Sequence, residues 1–453
     1  MPTPETSSLQ PLFDEARMRR VFDDRARAQG MLDFEAALAS AQARAGLFAP
    51  SLAATIGAAC DAGRYDLDAL AAGAAGDGNL AIGLVKALTR EVAAQDDPCA
   101  AEASMQVHRG ATSQDAIDTG CVLQIRAGLS LIETELDAAI VALAALARAH
   151  RRSVMPGRTW LQQAVPISFG LKAAGWLDGL LYARERLREL RAHVLALQFG
   201  GAAGSLSALG GDGLRVAAYL ADELNLTLPA MPWHAQRGRM VETGAWLALL
   251  IGSLGKIARD LSLLMQNEVG EAFEPAAPGR GGSSAMPHKR NPVACAVAIA
   301  AATRAPGLVS TLYAAMPQEH ERGLGGWLAE WDTLPELFGL AAGSLAQLRP
   351  VLEGLQVDVA TMRAHCVDGL GLVYAEAVAT ALSARLGRGE AHARVQAACA
   401  RALELRRPLR EVLAHDAQLR RWLGEEQLAA LFDPQACLGA NDVLIDRVLA
   451  RLD

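Results

Sequence analysis

From Gln114 to Arg151 the chain runs without a proline through residues that favour helix. A helix of that length far exceeds the usual three turns, and a rod so long must lie against others to bury its apolar positions. Further helical runs follow at Pro166 to Leu197, Gly213 to Leu224, Arg239 to Val269, Pro292 to Leu312 and Leu334 to Leu348. Some, such as Ala138 to Ala149 and Val293 to Ala302, keep small or apolar residues on more than one face, so burial on all sides is expected, in bundles that pack together in an oligomer. The chain is 51% hydrophobic but only 5% aromatic, and alternating β-branched runs are few. The expected class is all-α, with three helical domains. Residues 1–105 form an N-terminal helical domain, residues 106–352 a central bundle of long helices with a loop at 270–291, and residues 353–453 a C-terminal helical domain. In the first, Phe22 to Ala45 has helical spacing and Gly46 is placed to end it.

Several function classes are disfavoured at this level. The net charge is −7 with acids and bases mixed, and no basic block suits nucleic acid or an anionic membrane. The seven cysteines are scattered and never spaced as C-x-x-C, which reads as reduced core thiols rather than disulfides. The nine histidines show no metal-site spacing, and no metal or other cofactor is expected. Met1 to Gln10 contain no apolar run of the exporting kind, and each long apolar run reads as short of a bilayer span, so a cytoplasmic location is expected.

The chemistry concentrates in Gly279 to Pro292, with glycines at 279, 281 and 282 that let the backbone approach a ligand closely. Ser283 and Ser284 follow, then Met286, Pro287, His288, Lys289 and Arg290. Asn291-Pro292 reads as the N-cap and first residue of the next helix, which would set Lys289 beside a helix N-terminus that already favours anions. By composition alone this is either a solvated Gly/Ser loop or an anion-seeking one. The whole string closely resembles the G-S-S-x-x-P-x-K-x-N-P signature of the fumarase/aspartase superfamily.

Two further blocks agree with that resemblance. In His108-Arg109-Gly110-Ala111-Thr112-Ser113-Gln114-Asp115, Thr112 and Asp115 have the spacing of a capping box, and a helix start bearing hydroxyls is also an anion site. The block is similar to the first superfamily block, which binds substrate carboxylates. Arg158-Thr159-Trp160-Leu161-Gln162-Gln163 reads locally as a turn before a helix starting at Pro166. It looks like the second superfamily block, except that Trp160 stands where many members have a catalytic histidine. The glutamate that usually partners that histidine is also missing, its position being Ala296. The run Gly200 to Ser205 resembles a further glycine turn near the site.

An amine or hydroxyl leaving group generally needs a general acid, whereas a carboxylate, with a pKa near 4, leaves unaided. Loss of both halves of the pair therefore suits a reaction in which a carboxylate joins or departs. The chain resembles the 3-carboxy-cis,cis-muconate cycloisomerase family over essentially its whole length, including Gln318 to Trp331. An adenylosuccinate lyase would continue its His-Glu-Arg with a Ser-rich phosphate-binding run, where this chain has Gly323 to Trp327. The resemblance implies a fumarase/aspartase-like fold, a homotetramer with sites shared between subunits, and a small tricarboxylate substrate in the protocatechuate branch of the β-ketoadipate pathway. It implies Ser283 as the hydroxyl that exchanges a proton with carbon, with Ser284 as its competitor and Lys289 as catalytic support. Substrate binding would fall to His108, Thr112, Ser113, Gln114, Arg158, Thr159, Gln162, Met286, Asn291, His320 and Arg322. His320 and Arg322 read equally as helix-end residues. A fumarate-releasing lyase of the adenylosuccinate or argininosuccinate type and a non-catalytic structural protein of the same fold are the competing readings. Trp160, Ala296 and Gly323 to Trp327 count against the first, and intact Ser283, Lys289 and Asn291 against the second.

Overall fold

The structure, a computed structural model, describes residues 10–13, 15–276, 281–282, 286 and 288–452. The elements that position the site are helix α1 (Asp24–Arg44), helix α2 (Ser113–Ala149), the hairpin strands β1 (Val154–Thr159) and β2 (Gln162–Ser168), helix α3 (Phe169–Val194), helix α4 (Gly238–Leu264), strand β3 (Ala272–Phe273), helix α5 (Val293–Ala315), helix α6 (Gly325–Glu353), strand β4 (Gln356–Val357) and helix α7 (Val359–Val367). Among the described residues the fold is all-α apart from two small antiparallel pairs, β1 with β2 and β3 with β4.

The chain separates into two compact units, each assembled from three stretches. One comprises residues 1–136, 183–254 and 300–346, the other residues 137–182, 255–299 and 347–453. The core of the first unit includes Phe34, Leu38, Leu129, Leu247, Leu250 and Phe338, all nearly water-free. It also buries an ionic group. Arg237 donates to Asp118 Oδ2 at 2.7 Å and to Glu330 Oε2 at 2.5 Å, while Trp327 Nε1 donates to Asp118 Oδ1 at 2.9 Å. Charges taken out of water persist when every one of them is paired in this way. In the second unit, Val378, Leu382, Val395, Leu409, Leu413 and Leu423 form the core of the C-terminal helices.

Three boundaries differ from the sequence expectation. The segment ahead of α3 is a hairpin rather than a turn before a helix at Pro166, and Pro166 lies opposite Pro156 in its register. A proline that gives up no ladder bond is tolerated in a two-stranded edge. The helix expected from Leu334 begins at Gly325, because Trp327 is drawn into the core by its bond to Asp118. At α5 the cap is not Asn291. Glu274, 5% exposed, accepts from the amides of Ala294 at 3.3 Å and Cys295 at 3.0 Å, so a carboxylate twenty residues upstream satisfies the helix start and opposes its dipole. Helix α5 also exceeds expectation, since by length and apolar composition it is sufficient for a membrane span. Only 33% of its most apolar window is buried, and its Arg304 pairs with Glu336 of α6.

Candidate active site

In the first unit the turn that precedes α2 is built around Asp115. Its carboxylate is fully buried and accepts four donors: Thr112 N at 3.0 Å and Gly201 N at 2.9 Å on Oδ2, Gly200 N at 3.0 Å and His234 Nε2 at 2.7 Å on Oδ1. One acid thereby ties the start of α2 to the 200–205 glycine turn. The turn needs its glycines. Gly201 has φ +69°, and a Cβ there would lie 2.9 Å from Gly110 O, while a Cβ at Gly200 would meet Pro232 and His234 within 2.8 Å. Only half of the expected capping box forms, because Asp115 reaches back to the Thr112 amide while the hydroxyls of Thr112 and Ser113 make no hydrogen bond among the described residues. Two half-buried hydroxyls therefore stand at a helix N-terminus with their bonding capacity unspent.

The other first-unit candidates divide. Arg322 Nη2 donates to Ala202 O at 2.9 Å, which brings it onto the same glycine turn. His320 is exposed, at φ +49°, in the loop that leads to α6. Gln114 is buried, and its amide donates to Asp118 Oδ2 and to the carbonyl of His234. His108, at φ +59°, places Nδ1 2.5 Å from Glu35 Oε1. Burial alone would lower the His108 pKa, but the charge and hydrogen bond of Glu35, with the charge of Asp115 behind them, leave it above the ordinary value.

The second unit carries the remaining candidates on two supports. Thr159 pairs with Gln162 across a two-residue turn, whose central residues Trp160 and Leu161 both take positive φ, +53° and +64°. Such a turn matches the twist of its strands but costs about 1 kcal/mol or more at each non-glycine position. The two side chains are 97% and 75% exposed, with Thr159 and Gln162 exposed beside them. Arg158 does not share that exposure. Its guanidinium makes a two-pronged pair with Glu271, at 2.8 and 2.7 Å, and His365 Nδ1 of α7 lies 2.6 Å from the same carboxylate, whose side chain is fully buried.

The second support is the base of the glycine-rich loop. Asn291 N donates to Gly281 O at 2.8 Å, and Gly281 is at φ +70° with no room for a Cβ, since Asn291 O would lie 2.8 Å away. Arg290 donates to the Glu274 carbonyl at 2.5 Å and to Gln356 at 2.9 Å. Lys289 and Met286 are exposed, joined by a backbone bond from Lys289 N to Met286 O at 3.0 Å. Ser283 and Ser284 lie outside the described residues. Four participants escaped the sequence reading: Glu35, His234, Glu271 and His365. Each makes its contact across 70 residues or more, where no local pattern carries a signal.

Comparison with known proteins follows the same lines. A family model described as Lyase matches residues 14–307, and one described as Adenylosuccinate lyase C-terminus matches residues 371–448. The fold and the three blocks make the chain a lyase of the fumarase/aspartase superfamily. The chain is 56% identical to a 3-carboxy-cis,cis-muconate cycloisomerase of Pseudomonas aeruginosa, over 99% of this chain and 96% of that one. It is 52% identical to one of Bradyrhizobium diazoefficiens, over the full length of both. The crystal structure of the 3-carboxy-cis,cis-muconate lactonizing enzyme from Pseudomonas putida superposes with a TM-score of 0.92 at 50% identity, covering 99% of each chain. The chain belongs to the 3-carboxy-cis,cis-muconate cycloisomerase family.

Proposed function

We propose that this chain interconverts 3-carboxy-cis,cis-muconate and 4-carboxymuconolactone without a cofactor. A carboxylate oxygen of the substrate adds to one carbon of the conjugated system, and the electron pair moves into the neighbouring carboxylate as an aci-carboxylate. The hydroxyl proton of Ser283 is then delivered to the α carbon and a proton from solvent restores the hydroxyl, so that one proton is taken up for each lactone formed; the reverse reaction releases it. A serine hydroxyl can exchange that proton only if the charge it leaves is stabilised, and Lys289 and the loop amides are the groups placed in sequence to do so, the start of α5 being already taken by Glu274. Lys289 and Asn291 hold the carboxylate that becomes the aci form, while Thr112, Ser113, Thr159 and Gln162 hold the others. Ser284 is the alternative proton carrier.

The observation that carries this reading is the indole of Trp160 at the hairpin tip, with Ala296 exposed on α5, where superfamily lyases place an imidazole and its glutamate. A carboxylate nucleophile requires neither. The unspent hydroxyls of Thr112 and Ser113 supply the anion-binding corner. The chain works in the cytoplasm as a homotetramer in which separate protomers contribute the blocks at 108–115, 158–163 and 283–291. The water-exposed tip of Trp160 and Leu161 and the uncovered apolar surface of α5 support that assembly, since surface of this kind is buried by a partner. The test is loss of the ultraviolet absorbance of the conjugated diene of 3-carboxymuconate with purified protein. Turnover with lactone formation is the expected result. Release of fumarate from adenylosuccinate or argininosuccinate, with no diene loss, would overturn the proposal. Sedimentation tests the assembly separately.

A further inference from the structure

The turn bearing His108 is held from α1 by two side chains seven residues, or two helical turns, apart and so on one face of that helix. Glu35 meets the His108 ring at 2.5 Å, and Gln42 Nε2 donates to the carbonyl of the next residue, Arg109, at 2.6 Å. The grip fixes an unfavourable backbone, since His108 sits at φ +59°, a conformation non-glycine residues keep only when their surroundings hold them there. It also commits a carboxylate to burial. Glu35 is 3% exposed, and its Oε2 has no hydrogen-bond partner among the described residues. An acid confined in this way is costly unless the group opposite carries positive charge. The ring opposite keeps 18% of its side-chain exposure, and its Nε2 has no protein partner among the described residues.

We infer that Glu35 is a positioning residue: it orients the His108 ring through Nδ1–H so that Nε2–H points outward as a donor to a substrate carboxylate. A histidine whose Nδ1 is bound to a carboxylate has its second nitrogen fixed in direction and in protonation. This inference rests on the proposed function, for which it adds one more anion-binding group on the turn that carries Thr112 and Ser113. The charged groups facing the His108 ring are Glu35 from α1 and Asp115 from α2. The charge of Glu35 also reaches the Cys60 thiol, which is pushed up to about 12 by its own burial and then by Glu35 and Asp33.

The sign of the pH dependence follows. With Glu35 in place His108 stays protonated above its ordinary range, so substrate binding should weaken only as pH rises through that elevated value. In Glu35→Gln, burial is opposed only by the weaker effect of the Asp115 charge, and the alkaline fall of kcat/KM should move to lower pH by at least one unit. At pH 7.5 the loss should reach tenfold or more and fall chiefly on KM, with kcat within threefold. The pair also stabilises the fold below the unfolded histidine pKa, and that contribution disappears as pH rises through the folded one. The melting temperature of wild type should therefore exceed that of Glu35→Gln most at pH 6, and the gap should narrow or reverse by pH 9.

Each outcome separates the two claims. An unmoved alkaline limb in Glu35→Gln, with KM within twofold of wild type, would overturn the positioning role even if the melting gap behaves as described. A melting gap independent of pH would overturn the charged pair itself. If wild type turns over no carboxymuconate, the proposed function fails, and the melting series still decides the pair. Should Glu35→Gln fail to assemble, the double variant Glu35→Gln/His108→Gln removes both charges together. It should lack the alkaline limb and show KM raised at least tenfold at pH 6.5, and a wild-type KM there would overturn the inference.

Discussion

Replacing Asp115 by asparagine tests whether one carboxylate organises the proposed anion-binding corner. The side chain keeps its size but exchanges one oxygen for an amide that can only donate. Oδ1 receives Gly200 N and His234 Nε2, and Oδ2 receives Thr112 N and Gly201 N. Whichever way the asparagine turns, two donors face an NH2 group inside a water-free site. Each buried donor left without an acceptor costs about 1–3 kcal/mol, so the local destabilisation is about 2–6 kcal/mol. At about 1.4 kcal/mol per tenfold, that amounts to one to four decades in the opening equilibrium of the glycine turn. Hydrogen exchange followed by mass spectrometry on a peptide spanning residues 195–206 reads this directly, because the amides of Gly200 and Gly201 bond to Asp115. Their protection should fall by at least tenfold, with exchange in the C-terminal helices unchanged, and kcat/KM should fall with it as the Thr112–Ser113 corner loosens. Protection within threefold of wild type at both glycines would refute the reasoning and reduce Asp115 to a replaceable helix cap.

Ser283→Ala should abolish diene loss while leaving helical circular dichroism and sedimentation unchanged, and Ser284→Ala should retain most of the rate; the reverse pattern would move the proton to Ser284. Trp160→His should not raise cycloisomerase turnover, and a severalfold gain would show that the reaction wanted a general acid after all. Cys60 and Cys121 should resist iodoacetamide in the native protein at pH 8, because burial holds both thiols at about 12, well above that pH. Mass spectrometry should then find all seven cysteines labelled once the chain is denatured, since none is in a disulfide.

The long helices were legible because apolar spacing, alanine content and the absence of proline all act within the helix itself. Gln114 to Arg151 was read almost to the residue, as Ser113–Ala149. The hairpin at 154–168 was not, because Val165 to Ile167 is too short an apolar run to distinguish strand from helix, and Pro166 is as good a helix opener as it is an edge-strand residue. Asn291-Pro292 carried a genuine capping pattern, yet the donors at the start of α5 went to Glu274, a competitor invisible to any local window. For the site, the three blocks were assigned through resemblance, while the buried acids around them gave no sign in the sequence. Glu35, Asp118 and Glu271 look like ordinary surface carboxylates until the fold brings His108, Arg237 and Arg158 to them. Ser283 and Ser284 are assigned from the sequence alone.

The half-formed cap at the head of α2 divides labour between neighbours. Asp115 secures the helix start, so the hydroxyls at 112 and 113 are not needed for that purpose. Residues here can be exchanged to suit a differently shaped acid without unravelling the first turn. An engineer seeking new substrates on this scaffold should vary those two positions freely and leave the aspartate alone.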